Sequence, residues 1–218
     1  MRGTAPRPAR RAGRAPPTPR RGIIVSTLIQ PEAVASRARD VLATWQADPE
    51  WTRLWNSCAQ YSSDWDDFYG YPIIPDYDAV ADAPGLFTET TRVLALKAAM
   101  YELTGGDEKR AELAQPVPVD VMSHALTAQF TVLSRIQERT GIRFVHATDM
   151  EDGFAGGTWR PGDFTHQAYR AAFGPVNERY WIDAEETERR RQALDEVYAR
   201  IGVTERGRKA AILSAAAA

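Results

Sequence analysis

The sequence predicts a mainly helical fold of the α+β kind, with six or seven helices and one short strand over residues 142–147. Three observations lead there. Apolar residues recur at three- and four-residue spacing through most of the chain from Pro31 to Arg200. These periodic runs open on Asp or Pro and close on Gly, the usual start and stop signals of helices. Only "IRFVHA" alternates in the strand manner, with β-branched and aromatic residues.

The elements follow in order. Pro31 opens the first helix, where its missing N–H has no partner to lose. Val34, Ala38, Val41, Leu42 and Trp45 form its buried stripe. "DPEW" starts a second helix with Asp48 as N-cap, and Trp51, Leu54, Trp55 and Cys58 face inward. Cys58 on that stripe reads as a small core residue rather than a nucleophile. Pro72, Pro75 and Pro84, with Gly70 and Gly85, then hold the chain out of helix until about Leu86. A third helix runs to Leu103 and stops at Gly105-Gly106. "DEKRAELA" is a short charged helix before the linker "QPVPVD". Asp120 reads as the cap of a long helix to Thr140, with Met122, Leu126, Phe130, Leu133 and Ile136 on one face. Asp163 caps "FTHQAYRAAF". Asp183 with Glu186 opens a helix to Arg200, and Thr204 starts a last one. The lone strand needs a pairing partner for its backbone groups, and 23–29 and 71–74 are the candidates.

Composition narrows the function classes. The chain has 218 residues, of which 44% are apolar and 26% charged, ordinary values for one globular domain. A single cysteine rules out an internal disulfide and any multi-cysteine zinc site. The absence of disulfides fits a reducing cytoplasm, no apolar run is long enough for a membrane span, and the Ala- and Arg-heavy usage suggests a high-GC bacterium. Residues 1–24 hold seven arginines and no acid, and we read them as a disordered basic leader. They are not part of the native protein if Val25 is its true start. A twin-arginine export signal is a weaker reading of Arg20-Arg21. Setting those arginines aside leaves 20 basic against 29 acidic residues, a net of −9 for the single domain 25–218. Such an acidic body argues against nucleic acid as a partner.

Three segments carry candidate chemistry. "SSDWDDFYGYPIIPDYD" (62–78) interleaves five aspartates with Trp65, Phe68, Tyr69, Tyr71 and Tyr77. Its "DWDD" is similar to the Asp-x-Asp-Asp pattern of terpene cyclases, but those enzymes need a far larger helical barrel. We read the segment as a surface loop whose rings and acids hold a protein partner. "GFAGGTWRPGDF" has no phosphate-loop spacing. Its "AGGTWRPG" is similar to the Gly-x-x-Arg region of Fic-type AMP transferases, yet no His-Pro-Phe motif accompanies it, so nothing is carried over. "FVHATDMED" places His146, Asp149 and Asp152 at the strand's end, and His166 follows on the next helix. Two imidazoles and two carboxylates suit a divalent metal, although no His-Glu-x-x-His is present.

Two functions follow. The first is a non-catalytic binding or accessory protein without cofactor. It holds a protein partner through loops 62–78 and 153–163, with Trp65, Asp66, Asp67, Tyr69, Trp159 and Arg160 as contact residues. The second is a metal-dependent hydrolase with His146, Asp149, Asp152 and His166 as ligands. His124 and Asp120, four residues apart on one helix, read as a local surface pair.

Overall fold

A computed structural model describes residues 29–62, 77–146, 159–200 and 202. Eight helices occupy these residues: α1 (Pro31–Gln46), α2 (Trp51–Ser62), α3 (Ala79–Leu103), α4 (Glu108–Ala111), α5 (Val117–Thr127), α6 (Phe130–Thr140), α7 (Phe164–Phe173) and α8 (Ala184–Arg200). The mainly helical class therefore holds. None of the eight is long and apolar enough to cross a membrane.

The middle of the bundle is α3. Residues 93–100, "VLALKAAM", are buried without interruption. A helix enclosed on all sides must be apolar all round, and this one is, except for Lys97. It packs against α1, α2, α4, α5 and α7. Trp45, Leu54, Met122, Leu126 and Ile136 are fully buried around it, as are its own Leu86, Leu94 and Leu96. Each such side chain stabilises the fold by about 1.5–3 kcal/mol relative to exposure. Cys58 is among them, and burial pushes its thiol up to about 12, which agrees with a core role.

Four expectations need correction. The strand expected over 142–147 does not form across 142–146. Side chains of α6 take backbone donors that a ladder would otherwise use: Phe144 N–H donates to Gln137 Oε1 at 2.9 Å, and Ile142 N–H to Thr140 Oγ1 at 3.3 Å. The Phe144 ring stacks on Trp45, with centroids 4.0 Å apart. The alternation thus reflects one edge of a segment laid along the bundle. Of its candidate pairing partners, 71–74 and 23–28 lie outside the described residues.

The third helix starts seven residues early. Asp78 caps it, accepting from Val80 N–H at 2.9 Å and Ala81 N–H at 2.6 Å, and Pro84 lies inside. Contacts distant in sequence hold this first stretch. Arg179 pairs with both Asp82 oxygens at 2.6 Å, and Tyr180 Oη donates to Asp82 Oδ1 at 3.0 Å.

The predicted helix 120–140 is two helices. The chain leaves α5 at Ala128, and Gln129 starts α6 by accepting from Val132 and Leu133 N–H. The break lets Val132, Leu133 and Ile136 face the core while Phe130, expected on the same stripe, is 74% exposed. With this split the count rises to eight.

Finally, Asp120 does not cap a helix. Pro116 is the N-cap of α5 and Pro118 sits in its first turn, where a proline lacks only an N–H that has no helical partner. Asp120 falls one turn inside, and its carboxylate is left for other partners.

Candidate metal centre

Asp120 and His124 lie one helical turn apart on α5, so their side chains share a face. His124 Nε2 is 3.8 Å from Asp120 Oδ2. The segment after α6 brings His146 to the same place. Gly141 turns the chain with φ +70, a backbone conformation that other residues adopt poorly. His146 Nε2 then lies 3.7 Å from Asp120 Oδ1, and its ring centroid is 5.1 Å from that of His124. One ligand atom from each of the three residues falls within 4.8 Å of the others. Tetrahedral ligands about 2.1 Å from an ion are separated by about 3.4 Å, so small side-chain rotations close the set.

The His146 side chain is 3% exposed, and its Nε2 has no hydrogen-bond partner. A buried polar atom left in this way costs about 1–3 kcal/mol. It faces a carboxylate and a second imidazole. His124, half-buried, has its pKa lowered, chiefly by burial. That keeps the ring neutral, the form that binds a metal.

Behind His146 sits a buried ion pair. Lys97 is fully buried and donates to Glu112 Oε1 in a short hydrogen bond; the Glu112 side chain is 7% exposed. Burial is the largest influence on Lys97 and lowers its pKa, while Glu112 opposes the fall. Both groups face His146 Nδ1: Lys97 Nζ at 3.3 Å and Glu112 Oε1 at 3.6 Å. Their demands on the ring are opposite. When Lys97 donates to Nδ1, the ring proton is on Nε2 and points toward Asp120. When Nδ1–H donates to Glu112, Nε2 keeps its lone pair for a cation, the carboxylate–histidine arrangement found behind many metal ligands.

The charges of the cluster also favour a cation. Lys97 and Glu112 compensate each other. Asp120 remains, with Gln115 Nε2 donating to its Oδ1 at 2.6 Å. A carboxylate beside two imidazoles in a partly dry site offers the mixed oxygen and nitrogen donors that a divalent ion takes.

The structure brings together only part of the expected ligand set. His146 is in the cluster. Asp149 and Asp152 lie outside the described residues. His166 is not among the grouped ligands: its Nδ1 accepts from Gly162 N–H at 2.7 Å, at the start of α7. Asp120 and His124 replace it, together with the unforeseen Lys97, Glu112 and Gln115. Of the proposed partner contacts, Trp65, Asp66, Asp67 and Tyr69 lie outside the described residues. Trp159 is 3% exposed and packs edge-on against Trp181 at 5.3 Å and His166 at 5.6 Å. Arg160 is exposed.

A second buried acidic group is fully satisfied. Glu89 accepts a short hydrogen bond from Tyr169, one from Trp181 Nε1 at 2.7 Å and one from Arg92 at 3.1 Å. It ties α3 to α7 and to the segment before α8. No known protein family, curated protein or solved structure matches the chain at significant similarity. The centre therefore rests on its own geometry.

Proposed function

We propose that the chain is a metal-dependent hydrolase whose divalent cation is held by Asp120, His124 and His146. The observation that carries this reading is the buried Nε2 of His146, without a partner and 3.7 Å from Asp120. It revises the ligand set read from the sequence and keeps the chemistry. Three protein ligands leave a coordination position for water. When bound, such a cation acidifies that water to a pKa of about 7 and polarises an ester or amide carbonyl.

The chain's own residues divide the remaining work. Asp120 supplies a carboxylate oxygen, and His124 and His146 supply imidazole nitrogens. Glu112 and Lys97 hold the His146 ring from behind. Two imidazoles and one carboxylate suit Zn²⁺, Mn²⁺ or Fe²⁺. The test loads the purified full chain with each metal in turn and follows cleavage of activated esters and amides. Metal-dependent turnover that disappears in Asp120→Asn supports the reading; no turnover with any of the three metals counts against it.

The alternative, an accessory protein that holds a partner through loops 62–78 and 153–163, draws on the exposure of Arg160. Trp159 gives it less support, because that ring packs into the core. Unchanged co-purifying partners after Arg160→Ala would remove its remaining anchor. The single cysteine and the Ala- and Arg-heavy residue usage support placing either activity in a bacterial cytoplasm.

A further inference from the structure

We infer that Gln115 is a positioning residue that selects which oxygen of Asp120 faces the cation. The inference rests on the reading of Asp120, His124 and His146 as the ligand set. Gln115 stands in the linker just before α5, and it is 9% exposed. Its Nε2 donates to Asp120 Oδ1 at 2.6 Å, while Ser123 Oγ lies 3.5 Å from its Oε1 and 3.1 Å from Val119 O. A buried amide here meets two constraints at once. The carboxylate only accepts, so the amide presents its N–H side to Asp120 and leaves its carbonyl side facing the Ser123 hydroxyl.

The consequence for Asp120 is geometric. A carboxylate free to rotate offers either oxygen, or both, to a metal. Oδ1, which lies 3.7 Å from His146 Nε2, is already held by an N–H donor, so Oδ2 is the freer oxygen to coordinate, and it is 3.8 Å from His124 Nε2. Gln115 thereby enforces single-oxygen ligation and a low coordination number. Outer partners of this kind typically change metal affinity by about 10–100-fold when removed.

Cobalt(II) tests this, because its visible absorption is strong in four-coordinate sites and weaker in five-coordinate ones. Full-length wild-type protein and Gln115→Met, which keeps the side-chain volume and removes the donor, are titrated with Co²⁺. The expected result is an affinity lower by about 10–100-fold in the variant and a weaker visible band per bound ion, with the far-UV circular dichroism of the metal-free protein unchanged. Equal affinity and an identical band overturn the role of Gln115 while leaving the ligand set standing. A wild-type protein that binds no Co²⁺ overturns the ligand set, and the inference with it. Should Gln115→Met fail to fold, the wild-type side-chain amide decides. Its two N–H protons are expected to be widely separated in an ¹⁵N-resolved spectrum, because one is bonded to a carboxylate. A separation like that of a free glutamine overturns the inference.

Discussion

His146 Nε2 and Asp120 Oδ1 lie 3.7 Å apart where the segment after α6 meets α5, with no hydrogen bond to the nitrogen. The pair has a consequence for the ring's proton. Lys97 Nζ stands 3.3 Å from Nδ1, so with Lys97 donating there the expected metal-free tautomer carries its proton on Nε2. Binding a cation at Nε2 moves the proton to Nδ1, facing Glu112. Nitrogen-15 chemical shifts of the imidazole report this directly: an exchange of the two nitrogens' roles on adding Zn²⁺ is expected.

The Lys97–Glu112 pair makes a separate prediction. Removing one partner of a buried ion pair leaves the other charge without compensation, which costs about 3–5 kcal/mol. Lys97→Met is expected to lose about that much in urea unfolding. Lys97→Met combined with Glu112→Leu is expected to recover most of it, since well-packed apolar replacements of a buried pair are often neutral. A double mutant no more stable than the single would show that packing, and not charge, governs the site.

The clamp between the α1–α2 turn and α6 predicts an acid response. Arg135 holds both Glu50 oxygens at 2.6–3.0 Å, and Arg139 bridges Asp48 and Glu50 at 2.7–2.9 Å. The Arg135 and Arg139 hydrogen bonds lower Glu50 from 4.5 to about 2. A carboxyl whose pKa falls on folding stabilises the protein above its unfolded value, and that contribution fades as pH drops through the folded one. The melting-temperature difference between wild type and Glu50→Gln is therefore expected to be constant above about pH 5 and to vanish near pH 2. A difference that persists at the acid end contradicts the assignment.

Gly85 offers a test in which two effects have opposite signs. Helix propensity alone predicts that Gly85→Ala stabilises α3 by about 1 kcal/mol. A Cβ there would lie 2.4 Å from Tyr180 Oη and 2.6 Å from its ring. Overpacking of this kind costs about 1–3 kcal/mol, and Tyr180 is held by Asp82 and cannot move away freely. A net loss in chemical denaturation is expected.

Much of the fold was legible because its signals are local. Pro31, Asp163, Gly141 and Gly174 mark helix ends where the structure has them, and Asp183 accepts from Glu186 N–H at 2.8 Å as the capping pattern requires. The early start of α3 was not legible, because Arg179 and Tyr180, far along the chain, hold it. The site was half legible. In the sequence His146 stands out as a candidate ligand in "FVHATDMED", and Asp120 and His124 as a pair one helical turn apart. Their meeting depends on how the segment after α6 folds back over α5, which no periodicity encodes. Asp120 also has the position of a helix cap in the sequence, a role that would occupy its carboxylate, whereas Pro116 is the cap of α5. Lys97 had a signal of its own, a single charge within "VLALKAAM", that only the burial of the whole run makes meaningful.

The central claim is that Asp120, His124 and His146 bind one divalent cation. Isothermal titration of Zn²⁺ into metal-free full-length protein tests it most directly, with Asp120→Asn and His146→Ala beside the wild type. The account predicts one Zn²⁺ per chain in the wild type and a loss of affinity of more than about 100-fold in each variant. Absence of stoichiometric binding in the wild type, or equal binding in all three proteins, would contradict it.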